Sequence, residues 1–184
     1  MALCYIFNGS GLVRKASGKN AAKVSPADSV VAEQCGPAWM ELPASVTADE
    51  SLHVVTHTAQ MEGRLQRNYT ILYDDDLYAA LWVAYPLCAS HTATGREEAW
   101  GYDPHVPQSG QTSVRTGYGA SQPTVNYPKN FYARGHQIPN ADRNADAVMQ
   151  AQTFFFSNMT PQNGSLNGGP WADLEMRMRN SWMC

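Results

Sequence analysis

Apolar and polar positions divide the chain into a few patterned segments and two long unpatterned ones. β-Branched residues gather at 52–58, and aromatic and aliphatic residues at 69–73 and 77–85, so each of these reads as a strand. Between the last two, Tyr73-Asp74-Asp75-Asp76-Leu77 has the composition of a hairpin turn. Its three carboxylates resemble a cation site only superficially, since no glycine and no later glutamate complete a calcium loop, and a solvated turn is expected. Residues 131–136 and 153–157 read as two further strands. In 170–182 the apolar residues Trp171, Leu174, Met178 and Trp182 recur at helical spacing, predicting an amphipathic helix with Pro170 as its first helical residue.

The unpatterned segments differ from each other. Residues 8–48 are rich in Ser, Ala, Gly, Lys and Pro, so 1–48 is expected to be a leader arm or linker and 49–184 the folded domain. Residues 95–127 are loop-like and rich in Gly and Pro, and a long irregular stretch inside a compact domain is more often functional than decorative. The longest apolar run, 77–88, is about half of what a bilayer span requires, and the first seven residues lack the build of a signal peptide.

Composition narrows the picture. With 184 residues, 43% hydrophobic and 16% charged, the chain suits one domain with a sizeable core. A formal net charge of −3 excludes a protein that coats nucleic acid through bulk positive charge. From Tyr127 onward, however, five basic residues face four acidic ones, so a polyanion would be handled locally by a few placed arginines. The four cysteines, Cys4, Cys35, Cys88 and Cys184, contain no CxxC pair, which argues against a thiolate zinc site and leaves their pairing open. Asn68, Asn158 and Asn163 each head an N-x-S/T sequon.

Chemistry concentrates in three spaced motifs: Ala133-Arg134-Gly135-His136-Gln137-Ile138-Pro139-Asn140-Ala141-Asp142-Arg143, then Phe156-Ser157-Asn158-Met159-Thr160-Pro161-Gln162, then Leu166-Asn167-Gly168-Gly169-Pro170-Trp171-Ala172-Asp173-Leu174-Glu175. Cleaving a phosphodiester requires a base for the attacking water and positive charge at the developing phosphorane and leaving oxygen. His136 can be that base and Arg134 a fork of phosphate donors. Asn167 offers a hard oxygen to a cation such as magnesium, which keeps most of its waters. Glu175 follows about two helical turns later, within reach of such waters.

In these motifs, and over roughly residue 52 to the end, the chain resembles the DNA/RNA non-specific endonucleases, the ββα-metal or His-Me finger nucleases. The resemblance implies an α+β fold, with an antiparallel sheet, a ββα-metal catalytic element and helices packed on the sheet. It implies His136 as general base, Asn167 as the metal ligand, Glu175 as an anchor of metal-bound waters, Arg134 as electrostatic stabiliser, and Asn158 and Gln162 as positioning groups, with the satisfaction of loop backbone groups as the alternative for these last two. Arg96, ahead of Trp100 and Asp103-Pro104, is the nearest match to a second family arginine, a phosphate contact, although Glu97 and Glu98 intervene. The implied cofactor is Mg2+, with Mn2+ able to substitute, the substrates are DNA and RNA, and the products carry 5′-phosphates. A homodimer and a secreted or periplasmic bacterial setting are in keeping with it. Two departures stand out. Ala133 replaces an Asp common in the family, and the chain stops soon after the metal helix, so the domain is expected to be C-terminally incomplete. The competing readings are a catalytically impaired nucleic-acid-binding module of the same fold and a toxin-type effector nuclease.

Overall fold

The computed structural model describes residues 2–7, 50–118 and 132–182, with side chains for all of these but 2–7 and 182. Its framework is a four-stranded antiparallel sheet of β1 (Ala2–Phe7), β2 (Leu52–Met61), β3 (Arg64–Asp74) and β4 (Ala79–Leu87), in the order β1-β4-β3-β2. The strands expected at 52–58, 69–73 and 77–85 are β2, β3 and β4. The start of the expected leader arm differs: residues 2–7 pair along the edge of β4 from Ala2↔Leu87 to Phe7↔Trp82. The rest of that arm, with Cys35, lies outside the described residues, as does Cys184.

Local chemistry sets the two hairpins. Glu62 and Gly63, at φ of 51° and 75°, form the tight β2–β3 turn. In the β3–β4 turn the Asp74 carboxylate accepts the backbone N–H groups of Asp76 (2.9 Å) and Leu77 (3.2 Å), while Asp75 pairs with His53 Nε2 at 2.7 Å. Asp74 is thus engaged by the turn itself and Asp75 by its neighbour His53.

One face of the sheet builds the main core, where Val55, Tyr69, Ile71, Tyr73, Val83, Tyr85 and Leu87 meet Val106, Ile138 and Met178. Arg143 is fully buried beside it, donating to the carbonyls of Asp142, Asn68 and Pro86, with its guanidinium 4.9 Å from the Tyr85 ring centre. A buried cation is tolerable here because backbone acceptors replace its water.

A second sheet has two strands, β5 (Tyr132–His136) and β6 (Met159–Asn163), antiparallel with Arg134 opposite Pro161 and His136 opposite Met159. Between them lies α1 (Ala147–Gln152), capped by Asp146, whose side chain accepts from Met149 N at 2.8 Å. After β6 come a single turn α2 (Gly164–Leu166), a kinked π-helical stretch (Asn167–Trp171) and α3 (Ala172–Trp182).

Two expectations are corrected. Residues 153–157 are not a strand. They leave α1 through a turn into a 3-10 turn over Phe156–Asn158, and β6 begins only at Met159. The three phenylalanines that mimic a β-run pack separately: Phe154 against Trp100 and His136, Phe155 against His57, and Phe156 against Tyr102. Pro170 does not open the regular helix, which starts at Ala172 beyond a non-helical Gly169. Leu174 is exposed, because α3 turns Met178 and Glu175 inward instead.

Candidate active site

Alternation along β5 puts Tyr132, Arg134 and His136 on one face and Ala133 and Gly135 on the other. Gly135 is required there. The Gln162 side chain, reaching across from β6, lies so close over it that any Cβ would overlap the Gln162 amide. Gln162 Oε1 is buried without a hydrogen-bond partner.

His136 sits in an aromatic frame, 5.3 Å from Phe154 in an edge contact and 5.9 Å from Trp100, centre to centre. Burial, then the neighbouring Arg96 and Arg134 cations, pushes its pKa down to about 3 against weaker opposition from a hydrogen bond to the Arg134 backbone carbonyl and from Glu98. The imidazole is therefore neutral at pH 7. Nε2 is buried without a hydrogen-bond partner, and in the neutral ring one of the two nitrogens is an acceptor.

Two arginines share this frame. The Arg134 guanidinium stacks 3.9 Å from the Trp100 ring centre and donates to the Arg115 carbonyl at 2.9 Å. With Ala133 in place of a carboxylate, ring and carbonyl hold the guanidinium. Arg96 lies 5.1 Å from the Phe154 ring centre and pairs with Glu98, Nη2 to Oε1 at 3.1 Å. A groove of about 370 Å³ runs beside them, lined by Arg96, Trp100, Thr116, Gly117, Tyr132, Ala133 and Arg134.

The irregular segment that carries Arg96 and Trp100 is pinned by Asp103, which is fully buried. Its carboxylate bonds His57 Nε2 of β2 at 2.9 Å, Ser157 Oγ at 2.5 Å and the His105 N–H at 2.9 Å. Burial pushes this carboxyl up, but those bonds and the His57 charge together hold it below the usual range. Gln111 adds a brace, accepting from Asp103 N and donating to the Asp103 and Val106 carbonyls. Sequence reasoning placed Trp100 and Asp103 in a family stretch without giving either a role. The only local signal was their position in a long Gly- and Pro-rich loop.

The remaining expected residues are distributed unevenly. Asn158 is fully buried and wholly committed to the backbone: its Oδ1 accepts Ile138 N (2.9 Å), and its Nδ2 donates to the carbonyls of Ile138 (3.1 Å) and Thr153 (2.9 Å). It staples the chain beyond β5 to the segment ahead of β6, and its burial keeps it out of reach of a phosphate in the groove. Its burial, and that of Asn68, also closes two of the three sequons to glycans. Asn167 opens the kinked stretch, half-buried, with no side-chain hydrogen bond among the described residues. Glu175 faces Asp142 and Arg179. Burial, then the Asp142 charge, pushes its pKa up to about 7. Trp171 lies against it, but the indole N–H makes no hydrogen bond of good geometry. Arg179 Nε is instead engaged with Asp142 Oδ1 at 2.6 Å. The structure thus unites Arg96, Arg134 and His136. Among the described residues no hydrogen bond or ring contact joins Asn167 or Glu175 to them.

An antiparallel strand pair followed by helical turns, with a neutral histidine and Arg134 on β5 and Arg96 brought beside them by the irregular loop, borders a groove in an α+β protein. The match to the family of DNA/RNA non-specific endonucleases extends over residues 51–182, and the chain belongs to that family. Among curated proteins it is 31% identical over 121 residues to the mitochondrial nuclease EXOG of Danio rerio, covering 64% of this chain and 32% of that protein. It is 30% identical to a nuclease of Nostoc sp. over 112 residues, 60% of this chain and 38% of that one. A nuclease of Serratia marcescens is also 30% identical, over 111 residues, with 60% and 39% covered. The chain therefore spans between 32% and 39% of the length of these relatives.

Proposed function

We propose that this chain carries the catalytic centre of a metal-dependent endonuclease that hydrolyses phosphodiester bonds of DNA and RNA without sequence preference, leaving 5′-phosphates. The observation that supports it best is His136: a neutral imidazole with a bare Nε2 beside two guanidiniums. Nε2 takes the proton of the attacking water. Arg134 and Arg96 bind non-bridging phosphate oxygens, and the charge they present grows in value as the phosphorane develops. Phosphate contacts of this kind carry no sequence information, which suits a non-specific enzyme.

The donor set fits a single hard cation. Among the described residues the Asn167 amide oxygen has no hydrogen-bond partner, and they contain no group of three or more His, Cys, Asp or Glu that would hold an ion in a protein cage. Asn167 would hold the ion, with waters filling its other positions and Glu175 as their proposed anchor. Once bound, magnesium supplies positive charge to the leaving oxygen.

The test is nicking of supercoiled plasmid by the full chain with magnesium, with EDTA, and with His136→Ala. The reading requires nicking that EDTA abolishes and that falls by roughly two to four orders of magnitude in the variant. A folded His136→Ala protein that nicks at the wild-type rate overturns it.

A further inference from the structure

We propose that Glu98 is an internal competitor for the substrate phosphate, its carboxylate occupying the donor fork of Arg96 and Trp100 that nucleic acid must enter to bind. The inference rests on the nuclease reading above and names a residue that sets substrate affinity at the same site.

The geometry is that of an anion in a receptor. Glu98 Oε1 accepts from Arg96 Nε at 3.2 Å and lies 3.1 Å from Nη2 of the same guanidinium, and Oε2 accepts from the Trp100 indole Nε1 at 2.7 Å. Two oxygens of one group thus take one hydrogen bond each, from Arg96 and from Trp100, as the two non-bridging oxygens of a phosphodiester would. Neither donor is peripheral. Arg96 stacks on Phe154, which touches His136, and the Trp100 ring carries Arg134. Arg96, Trp100 and Arg134 all line the groove.

The carboxylate is charged and displaceable. The Trp100 N–H, foremost, and the Arg96 and Arg134 cations outweigh its slight burial and hold its carboxyl below the usual range. Its side chain and that of Arg96 are each about half exposed, 48% and 49%, so water screens the pair and a polyanion can replace it. While Glu98 remains, it cancels one of the few cations that the site offers a phosphate.

The discriminating experiment compares Glu98→Gln with Glu97→Gln in the full chain. Gln keeps an acceptor for Trp100 Nε1 and removes only the charge. Glu97 is exposed and one residue outside the fork, so its variant removes the same charge without opening it. Affinity is read by fluorescence anisotropy of a labelled DNA duplex in EDTA, and KM and kcat by cleavage of the same duplex with magnesium. Inorganic phosphate serves as the competing anion. Glu98→Gln should lower Kd and KM about two- to fivefold, the range that an exposed charge pair supports, with the gain in KM rather than kcat. Phosphate should inhibit it at proportionately lower concentration, and Glu97→Gln should gain less. Equal gains in both variants would reduce the effect to bulk charge, and weaker binding by Glu98→Gln would make Glu98 a support for Arg96; either overturns the proposal. If wild-type protein cleaves the duplex and Glu98→Gln binds it unchanged, this inference alone fails. If wild-type protein neither binds nor cleaves, the nuclease reading fails and takes it along.

Discussion

Gln162 lies across the β5–β6 ladder directly on Gly135, with its side chain filling the volume that a Cβ at 135 would need. Ala133 is its backbone partner, so the contact is diagonal, and it buries an amide oxygen that nothing satisfies. The glycine between Arg134 and His136 is therefore a packing requirement of the strand opposite. Gly135→Ala should cost about 1–3 kcal/mol of stability, the usual range for overpacking. Gly135→Ala combined with Gln162→Ala should recover part of that loss. Urea unfolding of the two single variants and the double variant measures the coupling, and strict additivity would show that the two residues do not meet.

His136 makes a prediction about pH. Because burial and the arginines push its pKa down to about 3, the acid limb of kcat/KM should lie well below 6.5, the ordinary position of a histidine. A rate profile that breaks near 6.5 would place the ring in water.

The same groups set the acid stability. His136 and His91, the latter lowered to about 4 chiefly by burial, refuse protons that the unfolded chain accepts below 6.5. Their contribution makes stability rise with pH from about 3 or 4 up to 6.5. Glu175 acts in the opposite sense. Its raised pKa, about 7 against an ordinary 4.5, makes the folded state hold a proton that the unfolded chain releases, so it erodes stability as pH rises through that window. Glu175→Gln should therefore steepen the rise of melting temperature with pH between about 4.5 and 7. An unchanged slope would mean that the carboxyl is not held protonated.

Asp103 is where the irregular segment is tied to the sheet. Asp103→Asn keeps the shape but weakens the bonds to His57 and Ser157 in a dry site, and should destabilise by about 1–3 kcal/mol. Its depressed pKa means that the stability it supplies is present above the unfolded carboxylate range and is lost as pH falls through the folded value. Wild type and variant should accordingly converge in acid. A constant gap in melting temperature from pH 7 to acid would remove the charge from the explanation.

How much of this was legible in the sequence depends on how local each feature is. Strands β2 to β4 declare themselves through short apolar runs, and the Arg134-Gly135-His136 strand through its motif. Phe154, Phe155 and Phe156 also form an apolar run, but each packs against a different partner, and only the tertiary arrangement separates them. The Asp103–His57 bond spans 46 residues and has no periodicity to betray it. For Asn158 the sequence leaves a positioning group near the phosphate and a brace for loop backbone both open, and its three backbone contacts are those of the brace. Glu98 looked like an interruption between Arg96 and Trp100, and only the folded loop brings all three together.

The proposed metal requirement offers the sharpest remaining test of Asn167. An ion held through one amide oxygen and waters binds weakly by itself, so half-maximal cleavage should need free magnesium well above trace levels and should be restored when magnesium is returned after EDTA. Asn167→Ala should raise that requirement at least tenfold, the lower end of what disturbing a metal site costs. Asp76→Asn, in the β3–β4 turn, should leave it where it was. Manganese soaked into crystals should give one anomalous peak near Asn167, because two ions about 4 Å apart need several carboxylate ligands. Two peaks, or a peak coordinated by His136, would remove Asn167 as ligand and His136 as a free base together.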